Sequence, residues 1–135
     1  MSFKVYGTIA AGECPSEQAE MATFFNLLRR QYPMYYKIAI HVRNEGKRTQ
    51  GQTTRIRYEG GFVKGAADII IPGAPTFVCE MKSRSKSARL SKEQIEYLAA
   101  AQEAGAFACV ALGHQAAWEA VQAWIGGQAR NCATS

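Results

Sequence analysis

The chain has 135 residues, of which 47% are hydrophobic and 20% are charged. This size and balance are typical of one compact domain with its own core. Charged or polar side chains interrupt every apolar stretch, so we predict no transmembrane helix. Residues 1–5 begin no long apolar segment with a cleavage site, and we therefore expect a cytoplasmic protein. The net charge of +5 is compatible with a polyanionic partner but does not require one.

The first half of the chain predicts one helix and one strand after a poorly patterned leader. Residues 3–6 fit a short strand. Ser16 is a favourable N-cap for a helix that runs to about Tyr32, where Pro33 would end it. Residues 36–42 then predict a strand, and residues 43–61 form a polar, basic connection.

The second half predicts a sheet that is covered on both sides. Residues 67–71 and 76–82 are strand-like, apolar on both faces, and separated by a Pro- and Gly-containing turn. Ser91 and Gln94 form a capping-box pattern for a helix that Gly105 ends. A strand at 107–112 and a helix at 115–125 follow. The predicted order is α-β-β-β-α-β-α, a single α/β domain with a mixed central sheet flanked by helices.

The four cysteines form no Cys-x-x-Cys pair, and neither histidine has a partner at zinc-ligand spacing. Cys79 and Cys109 lie within apolar, strand-like segments. We therefore predict buried free thiols rather than a zinc site.

Two acidic residues and a lysine are predicted to share one face of the central hairpin. If residues 73–75 form the loop, Ile71 pairs with Phe77 and Asp68 pairs with Glu80. Opposed residues of an antiparallel pair point to the same face, about 5 Å apart, and Lys82 lies on that face two residues after Glu80. A slip of one residue would separate them.

Two opposed carboxylates repel each other unless a cation lies between them. Oxygen ligands of this kind suit Mg²⁺ or Mn²⁺, which would activate a water molecule and neutralise charge on a phosphate. The spacing alone is equally compatible with a structural ion-pair cluster.

The order of short motifs adds a family resemblance. Asp68, eleven residues, then Glu80-Met81-Lys82 resembles the D-x(n)-E-x-K core of the PD-(D/E)XK nuclease superfamily. Residues 41–48 (HVRNEGKR), 60–68 (GGFVKGAAD) and 90–94 (LSKEQ) are similar to the VRR-NUC branch of that superfamily. The resemblance spans residues 16–125, and it departs from the family at Ala67, where a proline is common.

The resemblance implies a restriction-endonuclease-like fold and a DNA endonuclease that uses Mg²⁺ or Mn²⁺. Asp68 and Glu80 would bind the metal, with the Met81 carbonyl as a further ligand. Lys82 would be the catalytic lysine. Gln94 would orient Lys82 or the attacking water, although its capping role with Ser91 is an equally physical reading.

A glutamate of the first helix completes the metal site in the family. We predict Glu20, one turn before the apolar face of this helix, with Glu17 as the alternative. Met21, where the family often has glutamine, weakens the choice of Glu20.

Basic residues cluster on both sides of the acidic pair. Five lie within residues 82–92 with no acidic residue before Glu93, and a second group lies within residues 43–57. The predicted contacts to the DNA backbone are Arg43, Lys47, Arg48, Lys64, Arg84, Lys86 and Arg89. Gly60, Gly61 and Gly65 predict either a tight turn or a close approach of DNA.

The aromatic residues allow two interpretations. Tyr35, Tyr36 and Tyr97 could stack on bases, but packing at the core or its rim is the stronger expectation. Six large aromatic residues are many for one small core, and we expect that a part of them stays exposed and forms an interface: Phe24, Phe25, Tyr35, Tyr36, Trp118 and Trp124.

The resemblance implies a structure-specific enzyme of bacterial or phage-infected cells that cuts branched or Holliday-junction DNA as a homodimer. The alternatives are a catalytically weak nucleic-acid-binding module, a non-specific nicking nuclease, and an interaction protein with an unrelated basic surface.

Overall fold

The computed structural model describes residues 3–42, 60, 61 and 63–134. Within them the strands are β1 (Lys4–Tyr6), β2 (Ile40–His41), β3 (Ile69–Ile71), β4 (Phe77–Lys82) and β5 (Phe107–Leu112). They form one mixed sheet in the order β1-β5-β4-β3-β2. β5 is parallel to both β1 and β4, whereas β3 is antiparallel to both β4 and β2.

The helices in the same residues are α1 (Glu17–Gln31), α2 (Pro33–Tyr36), α3 (Lys92–Glu103) and α4 (His114–Thr134). The predicted cap of α1 is confirmed, since the Ser16 side chain accepts a hydrogen bond from the Ala19 N–H at 3.1 Å. The capping box of Ser91 and Gln94 is also confirmed. The local sequence therefore predicts where each of these two helices begins.

Helices cover both faces of the sheet, as predicted from its apolar strands. Residues of α1 and α4, among them Phe24 and Trp124, pack with Phe77 on one face. On the other face, Leu98 of α3 packs with Val78 and its neighbours. β4 is buried from Phe77 to Met81 because it lies inside the sheet and between these two layers.

The predicted α/β class and element order are confirmed, with one helix added and some boundaries corrected. β1 forms the short strand expected at residues 3–6 and lies beside β5, whereas α2, before β2, was not expected. The last helix continues past its predicted end at residue 125 to Thr134. The predicted strand at 36–42 is too long, because Pro33 begins a new turn of helix that includes Tyr36. Proline is well accommodated at the first position of a helix, where its missing N–H leaves no bond unmade.

Two further expectations about the core have clear outcomes. Cys79 and Cys109 are buried free thiols on neighbouring strands, as predicted. Five of the six aromatic residues named above lie in the core or pack against it, so the expected surplus is wrong for them. Tyr36 is the sixth, and 40% of it is exposed. No helix among the described residues is long and apolar enough to cross a membrane.

Candidate functional site

The register of β3 and β4 brings the predicted acidic pair together. Ile69 pairs with Cys79 and Ile71 with Phe77, which is the predicted register. One step further, Asp68 lies opposite Glu80. The Met81 N–H donates a hydrogen bond to Asp68 Oδ2 at 3.0 Å, and this bond fixes the Asp68 carboxylate beside β4.

A third carboxylate reaches this pair from the first turn of α1. Oxygen atoms of Glu17, Asp68 and Glu80 all lie within 4.8 Å of one another. Glu80 is only 2% exposed, whereas Glu17 is exposed and Asp68 is half-buried. We call these three residues the acidic cluster. Its oxygen donors, open to solvent on the Glu17 side, match the ligands that Mg²⁺ and Mn²⁺ prefer.

Glu20 is not in the acidic cluster, contrary to the first choice made from the sequence. It is 3% exposed, and its Oε1 lies 2.5 Å from Nδ1 of His114, the first residue of α4. Three residues advance a helix by about 4.5 Å, so Glu20 lies nearly a full turn away from Glu17. Glu20 lies near the apolar face of α1 because it is buried against α4. Glu17, and not Glu20, lies beside Asp68.

Lys82 and Gln94 both reach Glu80. The Lys82 Nζ lies 3.9 Å from Glu80 Oε2, and the lysine side chain is 15% exposed. The Gln94 Nε2 donates to the same Glu80 oxygen at 3.2 Å, while its Oε1 accepts from the Ser91 N–H at 2.8 Å. One amide therefore caps α3 and holds Glu80 at the same time. The Met81 side chain lies in the core, and the role of its carbonyl stays a prediction.

Gly65 allows the segment before Asp68 to pass close to the start of α3. Its φ is +83°, and a Cβ there would lie 2.5 Å from the carbonyl carbon of Glu93. The backbone therefore passes directly over the first turn of α3, which a side chain would prevent. At this glycine the close approach is to the helix that carries Gln94.

The acidic cluster lies in a cleft of about 940 Å³. Glu17, Gln18, Asp68, Glu80 and Gln94 are polar residues of its lining. The rest of the described lining is apolar or aromatic and comprises Met21, Ala22, Phe25, Tyr36, Ala39 and His41.

Comparison with solved structures gives this fold a name. A chain described as "VRR_NUC domain protein" superposes with a TM-score of 0.70, over 85% of this chain and 92% of that chain, at 19% identity. The chain has the VRR_NUC fold. Neither the protein-family models nor the curated proteins contain a match to the sequence.

On the VRR_NUC fold, the predicted DNA-contacting residues occupy different environments. Lys64, Lys86 and Arg89 are exposed. Arg84 is half-buried, and its Nε donates to the Thr8 carbonyl at 3.0 Å. Arg89 bonds to the carbonyls of Lys86 and Ala88. Arg43, Lys47 and Arg48 lie outside the described residues.

The electrostatics of the acidic cluster favour retention of a proton. Burial, together with the negative charge of Asp68 and a hydrogen bond to it, raises the pKa of Glu80 to about 9. Burial also raises the pKa of Asp68, although the hydrogen bonds from Glu80 and the Met81 N–H and the charge of Lys82 oppose the rise. Without a cation, the two carboxyl groups therefore share a proton near neutral pH.

Proposed function

We propose that the chain is a metal-dependent nuclease that hydrolyses phosphodiester bonds in DNA. The observation that carries this proposal is the acidic cluster, with Lys82 beside it, on the VRR_NUC fold. A binding module has little use for three clustered carboxylates where phosphates approach, since they would repel the nucleic acid. This argument favours the nuclease over the non-catalytic binder.

Glu17, Asp68 and Glu80 would hold a Mg²⁺ or Mn²⁺ ion. Their donors are hard oxygens, and the neighbouring charges that raise the pKa of Glu80 are those that a cation would compensate. When bound, such an ion activates water and neutralises charge on the phosphate. Hydrolysis joins a water oxygen to phosphorus and breaks one P–O ester bond, which leaves a phosphate on one fragment and a hydroxyl on the other.

Lys82 and Gln94 would act around Glu80. The Lys82 ammonium, close to Glu80, stabilises negative charge that develops on the phosphate oxygens. The Gln94 amide holds one Glu80 oxygen in place through a hydrogen bond, and its own position is fixed by the cap of α3. Gln94 is in this proposal a positioning residue for Glu80.

A cleavage assay with a panel of DNA substrates tests the proposal. Plasmid, hairpin, flap and four-way-junction DNA are incubated with the protein and Mg²⁺ or Mn²⁺, with EDTA as the control. We expect cleavage only with the metal, and a preference for branched substrates. Tight DNA binding without cleavage would support the binding module instead. Absence of both would support an interaction protein with an unrelated basic surface.

The exposed basic residues of the 82–92 segment are proposed to contact phosphates without reading sequence. Lys86→Ala with Arg89→Ala should lower DNA affinity equally for unrelated sequences and reduce the slope of log affinity against log salt. The slope should fall by about 0.9 for each phosphate contact that is lost, and we expect the double substitution to remove about two such contacts. Fluorescence anisotropy at several salt concentrations measures it. An unchanged slope would place the DNA elsewhere, and adding Arg84→Ala tests whether Arg84 contributes beyond its bond to Thr8.

We further propose a two-fold symmetric homodimer. A four-way junction is resolved by two symmetric cuts, and a C₂ dimer supplies two acidic clusters. Apolar side chains exposed around α2 and β2 offer an interface: Met34 is 72% exposed, Ile38 45% and Ile40 50%. Light scattering at micromolar concentration should give about twice the chain mass of 14.8 kDa. A mass near 14.8 kDa would contradict the dimer and favour simple nicking.

Metal affinity is expected to depend steeply on pH. The pKa of Glu80 is about 9 in the folded protein, above its ordinary value of 4.5. At any pH between these two values, a metal ion that binds Glu80 must therefore displace the proton of its carboxyl group. Mn²⁺ affinity should therefore rise about tenfold per pH unit from pH 6 to 8. The same shift makes the metal-free fold less stable as pH rises through this range, and Mn²⁺ should counter that loss. Calorimetry at pH 6, 7 and 8 measures the affinity, and a value independent of pH would contradict the shared proton.

A further inference from the structure

Aromatic rings stand beside the acidic cluster. Phe25 of α1 stacks on His41 of β2, with ring centroids 5.4 Å apart and planes inclined by 29°. His41 is exposed, and it lies one position from the backbone contact between Val42 and Asp68, where the Val42 N–H donates to the Asp68 carbonyl at 2.7 Å. Tyr36 lines the same cleft and is 40% exposed. We call Phe25, Tyr36 and His41 the aromatic wall.

The described residues that line the cleft are poorly suited to bind several consecutive phosphates of a DNA strand. Among the described residues that line it there are three carboxylates and no lysine or arginine. Met21, Ala22 and Ala39 extend the apolar surface around the aromatic wall. Such a surface favours the π-face of a base, which gains from contact with aromatic and aliphatic groups.

The covalent structure of DNA indicates which group lies against the aromatic wall. Any phosphate that reaches the acidic cluster carries a nucleoside on each side, so a base must lie close to the groups that line the same cleft. In a duplex, the faces of the bases are covered by their neighbours in the stack and only the edges are open. A base can offer its face to the wall only when it is unpaired or turned out of the helix.

We propose that the aromatic wall is a binding subsite for an unpaired nucleobase next to the scissile phosphate. The exposed rings of Tyr36 and His41 contact the base, and Phe25 supports His41 from behind. This subsite rests on the proposed nuclease function and narrows its substrate class to DNA with an unpaired nucleotide at the point of cleavage. Flaps, branch points and single strands meet that condition.

Fluorescence of 2-aminopurine tests the subsite separately from cleavage. The probe is a single-stranded oligonucleotide with one 2-aminopurine, and the comparison is its fully paired duplex. Ca²⁺ replaces Mg²⁺, and gels verify that the DNA stays intact. We expect the wild-type protein to quench the single-stranded probe by stacking and to leave the duplex nearly unchanged.

Substitutions of Tyr36 assign the effect to the ring. Tyr36→Phe should keep both quenching and affinity, whereas Tyr36→Leu and Tyr36→Ala should weaken single-strand binding about tenfold or more and leave duplex binding within about twofold. Leucine keeps apolar bulk without a ring, and it serves as the second variant if alanine impairs folding. Val5→Ala is the control, since Val5 is an exposed apolar residue of β1, at the opposite edge of the sheet from β2, and is not among the residues that line the cleft.

The two proposals fail in distinguishable ways. Quenching by the wild-type protein without cleavage under Mg²⁺ or Mn²⁺ would overturn the nuclease and leave the subsite standing. Cleavage with no quenching, or with single-strand affinity equal in wild type and Tyr36→Leu, would overturn the subsite and leave the nuclease standing. An equal loss in Val5→Ala would also overturn it.

Discussion

Asp68→Asn and Glu80→Gln are each expected to lower the rate of DNA cleavage by about a thousandfold or more. Both substitutions keep the size of the side chain and remove a charged oxygen donor from the acidic cluster. Metal assistance is worth several kcal/mol to the transition state, and each 1.36 kcal/mol corresponds to a factor of ten in rate. DNA binding should stay nearly intact, because it rests mainly on lysine and arginine contacts to phosphate.

The two glutamates of α1 provide a matched comparison for this experiment. Glu17→Gln should also lose activity and Mn²⁺ affinity, since Glu17 is within the acidic cluster. Glu20→Gln should retain most activity and lower the stability instead, because Glu20 is buried against His114. Rates within a few-fold of wild type for Asp68→Asn or Glu80→Gln would refute the metal site. The reverse outcome for the two glutamates would restore Glu20 as the ligand.

Lys82→Ala is expected to lower the cleavage rate about a hundredfold or more at saturating DNA while Mn²⁺ affinity stays within a few-fold. The ammonium group neutralises charge in the transition state and is not itself an oxygen donor, and the loss of one such preorganised group costs about 10²–10³ in rate.

Lys4→Ala is the control for Lys82. It removes the same charge from β1, at the edge of the sheet away from β3, and should cleave at the wild-type rate. Single-turnover cleavage gives the rates, and calorimetry gives the Mn²⁺ affinity. Loss of Mn²⁺ binding in Lys82→Ala in parallel with activity would contradict the division of roles between Lys82 and the carboxylates.

Short-range patterns in the sequence predicted much of the fold. Ser16 and the Ser91–Gln94 box fixed two helix starts, because a capping side chain bonds to backbone only two or three residues away. The apolar runs of β3 to β5 predicted a sheet covered on both faces, and its hairpin register placed Asp68 opposite Glu80. Each of these depends on neighbours along the chain or across one tight turn.

The structure corrected the predictions that depended on where distant elements pack. The sequence offered two glutamates in the first helix, and a position near its apolar face favoured Glu20. A position near the apolar face indicates that a residue is buried, but it does not indicate whether β3 or α4 packs against it. Tertiary packing put Glu20 against His114 and turned Glu17 toward Asp68.

By itself, the amino-acid sequence determined the α/β class, the covered sheet and the meeting of Asp68, Glu80 and Lys82, since these follow from periodicity and one hairpin. Only the tertiary structure decided the third carboxylate, the contact from Gln94 to Glu80 and the aromatic wall. Phe25 and His41 are sixteen residues apart in the sequence. Helical and strand periodicities end at each element's boundary, so the orientation of one element against another is decided by packing of the whole core.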